Sequence, residues 1–185
     1  MVKVTYYNSL HVFVNCCMLV FRWTHTLTLC CVKSGYVRRH YTICDEMRYL
    51  LTAAGLRCSS EIYVDQQRSL RIDLLVDRFY QGQSLALDVH ITHALSHRLG
   101  TAALVEAEQQ KSEKYDQLLG WSFSPIVLDT FGNLGPKSLK TVQRIISLAV
   151  GEDDFEHSVE AMYYWQRLSL SLQRAVCRQL ILSLP

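Results

Sequence analysis

Two aspartates stand where aspartates are costly, each in the middle of a short apolar run of strand-like composition. Leu70 to Val76 reads Leu-Arg-Ile-Asp-Leu-Leu-Val, and Ser84 to Thr92 reads Ser-Leu-Ala-Leu-Asp-Val-His-Ile-Thr. The polar stretch Gln81-Gly82-Gln83 lies between them. Two such runs joined by a short glycine-containing turn predict a hairpin. A carboxylate inside an apolar strand shifts its pKa or unfolds its surroundings unless something compensates it. Any fold for this chain must therefore answer the question of what meets Asp73 and Asp88.

The rest of the chain suggests the frame around that hairpin. A length of 185 residues is about one domain, and 49% hydrophobic residues suffice for a single core and exclude wholesale disorder. Ile43, Met47, Leu50 and Leu51 recur at helical spacing, which predicts a helix from about Tyr41 to Ala54, stopped by Gly55. A short strand is expected over Arg57 to Val64, followed by a polar turn at Gln66-Gln67-Arg68. Thr101 to Leu119 is rich in Ala, Glu, Gln, Leu and Lys and predicts a strong helix ended by Gly120. Phe123 to Leu128 predicts a further strand, and Phe131 to Pro136 turns the chain. Two helices follow, at about Pro136 to Val150 and Phe155 to Leu182. This order predicts an α/β sandwich with a central mixed sheet flanked by helices. Residues 1–37, rich in Val, Thr, Tyr, Phe and Cys, read as a separate lead-in to a domain over residues 38–185. No internal repeat is visible.

Charge and cysteine usage narrow the surroundings. A net charge of +2 with a pI near 8.2 permits a nucleic-acid partner without demanding one. Arg38, Arg39, His40, Arg68 and Arg71 could form a basic edge, with Lys137 and Lys140 near the last turn, and these would be phosphate contacts. Nothing in the chain is suited to reading bases. Seven cysteines, with adjacent pairs at Cys16-Cys17 and Cys30-Cys31, form no regular disulfide framework. A reducing compartment, nuclear or cytoplasmic, is expected. The apolar stretch Leu10 to Phe21 is interrupted by Asn15 and is too short to span a bilayer. Only Lys3 precedes it and no small-residue cleavage site follows, so neither a membrane partner nor a targeting signal is expected.

Two carboxylates on neighbouring strands repel each other unless a cation stands between them. Mg²⁺ suits such a pair, since it takes one or two carboxylates and fills its shell with water and phosphate oxygens. An ion there would polarise a scissile phosphate and lower the pKa of an attacking water. The plainer alternative pairs Asp73 with Arg71 and Asp88 with His90, each two residues away on the same strand face. The helix over Thr101 to Leu119 adds Glu108, Lys111, Glu113 and Lys114. Lys111 and Lys114 lie three apart on one face. Either could orient the water or neutralise developing charge, or both could belong to a solvated Glu/Lys face. Lys111 is favoured, being nearer to where the helix arrives from the strand.

Taken in order, these residues resemble a known pattern. Arg71-Ile72-Asp73-Leu74-Leu75, Leu87-Asp88-Val89-His90-Ile91 and Ala107-Glu108-Gln109-Gln110-Lys111-Ser112-Glu113-Lys114-Tyr115 resemble the endonuclease domain of site-specific non-LTR retrotransposons, a branch of the PD-(D/E)XK superfamily. Flanking pieces are similar too: Arg39-His40 at the opening of a helix, Glu61 in the first strand region, Phe123 to Gly135, and a closing helix over Leu168 to Leu180. Ile72 replaces the family's Pro or Ala. His90 stands where the wider superfamily carries its lysine, as fits the branch in which the lysine has moved to the helix.

The resemblance implies a restriction-endonuclease-like sandwich and a Mg²⁺-dependent DNA endonuclease, with Mn²⁺ as a substitute ion. It implies Asp73, Asp88 and Glu61 as metal ligands, Lys111 or Lys114 as the catalytic lysine, and Arg39, His40 and Arg71 as DNA contacts. Other domains of the element, or a second copy of the chain, are the implied protein partners. The alternative is an inactive nuclease-fold remnant that binds nucleic acid without cleaving it. Family members often carry an upstream zinc knuckle. Here His25 and Cys30 or Cys31 could supply only its second half. Cys16 or Cys17 would have to supply the first, and no Cys-x-x-Cys is present, so a degenerate lead-in without zinc is expected. A cysteine/histidine metal module around His25 is the third possibility.

Overall fold

The computed structural model describes residues 33–64, 70–93, 101–116, 120–151 and 158–182. The lead-in with His25 and its cysteine pairs, the Gln66-Gln67-Arg68 turn and the start expected at Phe155 lie outside these residues.

The expected hairpin forms from Arg71–Tyr80 (β2) and Gln83–Thr92 (β3), which pair antiparallel with Leu74 opposite Leu87 and Val76 opposite Leu85. The loop is Gln81-Gly82, with φ of 47° and 84°. Two consecutive positive φ angles match the twist of a two-residue hairpin, and glycine takes the second without strain. β2 runs past its expected end at Val76 because a register shift between Val76 and Tyr80, with Arg78 at φ 47°, carries the strand on to the turn. Cys58–Tyr63 (β1) lies antiparallel on the outer side of β2. Trp121–Asp129 (β4) lies parallel to β3, with Asp88 opposite Pro125. The sheet order is β1-β2-β3-β4, so the sheet is mixed. The parallel step from β3 to β4 needs a long crossover, and Thr101–Lys114 (α2) lies within it.

Three helices join the main core: Lys33–Ala53 (α1), Pro136–Val150 (α3) and Val159–Leu182 (α4). Met47, Leu51, Ile145, Ile146 and Leu172 from these helices meet Leu74, Leu87, Val89 and Leu128 of the sheet. On β3, Leu85, Leu87, Val89 and Ile91 enter this core. Alternation therefore turns Ala86, Asp88 and His90 to the opposite face. There Tyr115, just past α2, packs with Ile72 and Ala86 and stacks on Phe123 at 4.6 Å between ring centroids.

Three helix boundaries differ from expectation by several residues. α1 begins at Lys33, so residues 33–37 belong to the helix and not to the lead-in, and Arg39 and His40 sit inside it instead of opening it. Gly35 is a poor helix former, and Tyr36 and Val37 are exposed, so this stretch adds nothing to the apolar stripe that revealed the rest. α2 stops at Lys114, short of Leu119, where Tyr115 and Asp116 turn. α4 starts at Val159, where Ser158 Oγ accepts from the N–H groups of Glu160 and Ala161 as an N-cap. α3 keeps the expected bounds, with Pro136 in its first turn. No described helix is long and apolar enough to cross a membrane.

Candidate functional site

The register of the sheet aligns three acids in a row. Asp73 of β2 follows the last regular pair, Leu74–Leu87, and its carboxylate takes the N–H of Val89, which sets it beside Asp88 of β3. On the other side of β2, Glu61 falls between the pairs Ser60–Leu74 and Ile62–Ile72 and so comes opposite Asp73. Glu61 has φ 55°, a left-handed conformation that costs a non-glycine residue about 1–3 kcal/mol. The strand is irregular here. Ile72 packs in the Tyr115 cluster, whereas Leu74, two residues on, packs in the main core. A regular strand would keep both on one face. This twist lets the Asp73 carboxylate reach α1 while it stays beside β3.

Asp73 is buried. Its Oδ1 lies 3.2 Å from His40 Nε2, and its Oδ2 accepts the Val89 N–H at 2.7 Å. Burial pushes the Asp73 pKa up. The hydrogen bonds from His40 and Val89, with the charges of His40 and Lys111, outweigh it and leave the carboxyl below its ordinary value. His40 moves the other way: the bond to Asp73 raises its pKa against the opposing effect of burial, with further help from the Asp73 and Asp88 charges. Cys44, one turn along α1, places Sγ 3.5 Å from the same Nε2. Burial, reinforced by the Asp73 charge, pushes its thiol far up.

Asp88 is buried as well. The Tyr115 hydroxyl lies 2.6 Å from Asp88 Oδ1 and 2.6 Å from the Arg71 carbonyl, so one proton serves two acceptors. Burial and then the Asp88 bond push the Tyr115 pKa far up, which keeps the phenol a donor. Asp88 Oδ2 is buried with no directed hydrogen-bond donor, but Lys111 Nζ stands 2.5 Å from it. The closeness makes the contact an ion pair, and a carboxylate oxygen paired once keeps a second lone pair. Lys114 instead donates to the Tyr115 hydroxyl at 3.3 Å and lies over its ring. The two candidate lysines thus part: Lys111 touches an acid, and Lys114 is one group removed.

The short-range pairings considered from the sequence do not form as drawn. Arg71 pairs with Glu61 at 3.4 Å, and Glu61 also accepts from the Tyr41 hydroxyl at 2.9 Å. Asp88 draws its partners from Tyr115 and α2. His90 has its pKa lowered, by burial and then by Lys111. Of the expected DNA contacts, Arg39 is only 3% exposed and lies over the Tyr36 ring, so it is not a surface phosphate contact. A side chain on the inner face of α1 is enclosed whatever its charge. His40 is drawn into the acid cluster. Arg38, Arg174 and Arg178 line a groove of about 180 Å³ between α1 and α4. Arg174 and Arg178 escaped notice although their four-residue spacing puts them on one helical face.

Two other residues at the centre were not singled out. Cys44 stands four residues after His40 on a predicted helix, which was the available signal. Tyr115 ends the lysine-rich helix, but nothing local tells that its hydroxyl meets an acid. A cleft of about 360 Å³, lined by Tyr41, Cys44, Arg48, Ser60, Glu61 and Asp73, opens beside Asp73.

The donor set fits a hard divalent cation. Asp73 and Asp88 bring carboxylate oxygens, each able to accept a further interaction, and Oδ2 of Asp88 lacks a directed donor. Glu61 meets Tyr41 and Arg71 through Oε1 alone and is half exposed, so its Oε2 stays open to a third-acid role. Compared with known proteins, the chain matches no family model and no curated protein.

Proposed function

We propose that the protein is a Mg²⁺-dependent DNA endonuclease of retroelement type that hydrolyses phosphodiester bonds and nicks its target. The observation that carries the proposal is the alignment of Asp73 with Asp88 on adjacent strands, with the Lys111 ammonium on Asp88. Asp73 and Asp88 would hold the ion, which when bound supplies Lewis-acid polarisation of the phosphate and a more acidic water. Lys111 would neutralise charge developing on the phosphate. Tyr115 fixes the orientation of Asp88, and Lys114 supports Tyr115. Arg38, Arg174 and Arg178 would hold the DNA backbone. Three antiparallel strands, a crossover helix and a parallel fourth strand are compatible with a restriction-endonuclease-like sandwich, which is part of the proposal.

Nicking of supercoiled plasmid with Mg²⁺ tests it. The wild-type chain should convert plasmid to the open circle, and Asp88→Ala should not. Equal nicking by that variant would sink the assignment.

One observation favours a second reading, an inactive remnant that binds nucleic acid without cleaving it. Each acid already has a basic partner inside the protein, His40 for Asp73 and Lys111 for Asp88. An internally neutralised pair needs no ion to be tolerated. That reading expects salt-sensitive DNA affinity with no Mg²⁺-dependent nicking.

A further inference from the structure

We propose that His40, Cys44 and Asp73 form a three-ligand site for a divalent transition ion, Zn²⁺ foremost, with a fourth position facing the cleft beside Tyr41 and Ser60. The site shares Asp73 with the nuclease proposal but does not depend on it.

His40 and Cys44 are one turn apart on α1, so both present to the same face. The three groups each offer one ligand atom, and these atoms all lie within 4.8 Å of one another. The way they converge is informative. Cys44 Sγ and Asp73 Oδ1 both approach Nε2 of His40, at 3.5 and 3.2 Å. A nucleophile–histidine–carboxylate relay uses the two ring nitrogens separately, one for each neighbour. Here a single nitrogen faces both, so no proton relay runs through the ring.

One nitrogen serves both neighbours only poorly. With a proton, it donates to Asp73 and leaves the thiol sulfur, a weak acceptor, a share of the same N–H. Without one, it can accept from the thiol but directs a lone pair at a carboxylate. A cation between the three atoms removes the conflict, because all three then act as lone-pair donors.

The spacing suits zinc. Tetrahedral bonds of about 2.3 Å to sulfur and about 2.0–2.1 Å to nitrogen and oxygen separate the ligand atoms by about 3.5 Å (S to N) and about 3.3 Å (N to O). The observed separations are 3.5 and 3.2 Å. A thiolate and an imidazole select Zn²⁺ or its neighbours over Mg²⁺. Three protein ligands with an open fourth position is the pattern of an ion that keeps a water or takes a substrate atom. Cys44 and Asp73 also line the adjoining cleft, which supplies that opening.

The test uses the full chain, purified reduced and metal-free, and titrated with Co²⁺ as a spectroscopic stand-in for Zn²⁺. A single equivalent should produce a thiolate-to-cobalt charge-transfer absorption that Zn²⁺ bleaches. Cys44→Ser should abolish that band and weaken Co²⁺ binding at least about tenfold. Cys177→Ser, an exposed cysteine outside the three ligands, should keep both. If Cys44→Ser fails to fold by circular dichroism, His40→Gln takes its place and must weaken Co²⁺ binding by the same margin. Absence of the band in the wild-type chain, its survival in Cys44→Ser, or undiminished binding by the substituted variant overturns the proposal. The readout contains no DNA, so a failure to nick plasmid leaves it untouched.

Discussion

Among the described residues four acids are buried, and they fall into two regions that treat a carboxylate in opposite ways. At the α2–α3 end, Glu108 Oε1 accepts from the Ser138 N–H and hydroxyl at 2.7 and 2.6 Å, and Oε2 from the Lys137 N–H at 3.1 Å. It thereby caps the first turn of α3 from another helix. Gly135 lies so close to this carboxylate that a Cβ there would overlap it. Asp129 likewise takes the N–H groups of Phe131 and Asn133 on Oδ1 and the Asn133 side-chain amide on Oδ2. These partners are amides and one serine hydroxyl, none of which titrates. Asp73 and Asp88 are as buried, but their side-chain partners are His40, Tyr115 and Lys111, groups that exchange protons or carry charge. Burial of an acid therefore does not by itself separate the two regions. The kind of partner does.

Paired substitutions test that contrast most severely. Asp88→Asn should lower Mg²⁺-dependent nicking at least roughly 10³-fold, yet destabilise the fold less than Glu108→Ala, since loss of the Lys111 pair is offset in part by relief of repulsion from Asp73. Glu108→Ala should cost about 3 kcal/mol by orphaning two backbone N–H groups and a hydroxyl, while nicking persists wherever the variant stays folded. Urea denaturation and plasmid assays on both variants decide it. If Asp88→Asn destabilises as much as Glu108→Ala, the two regions are the same in kind.

The two lysines sharpen the comparison within the proposed nuclease site. Lys111→Ala should lose roughly 10²-fold in single-turnover nicking, and Lys114→Ala clearly less, because it reaches the acid only through Tyr115. Equal losses would show that the ion pair with Asp88 has no special standing.

The smallest effect is the pH dependence of stability in the metal-free protein. The pKa of His40 is raised on folding, so its contribution is complete below its unfolded value, about 6.5, and is lost as pH rises through the folded value. That of Asp73 is lowered, so its contribution is complete above its unfolded value, about 3.9, and is lost as pH falls through the folded value. Their joint stabilisation is greatest between about pH 4 and 6.5. Thermal unfolding across pH should show a shallow maximum there that His40→Gln flattens. An unchanged profile in His40→Gln would remove the pair from the account.

Much of the frame was legible because period and punctuation are local. The hairpin could be read from two apolar runs around Gln-Gly-Gln, and α3 from Pro136 to Val150. The start of α1 was not, since exposed Tyr36 and Val37 carry no stripe. The Asp73–Asp88 alignment was readable from strand adjacency. The burial of Arg39 was not, because helical period shows which residues share a face but not how deeply an arginine on that face is enclosed. Glu108 read as part of a solvated Glu/Lys face, and only its approach to Gly135 and Ser138, nearly thirty residues on, makes it a structural cap.

By itself, then, the sequence determined that two aspartates would sit in neighbouring strands and would need company, because apolar runs and turn residues act over a few positions. Which groups keep them company was decided only in three dimensions. The twist of β2 at Asp73 turns one acid toward His40 and Cys44 on α1, while the pleat of β3 turns the other toward Lys111 and Tyr115. Side-chain partners separated by dozens of residues depend on how helices seat against a sheet, and no local pattern encodes that seating.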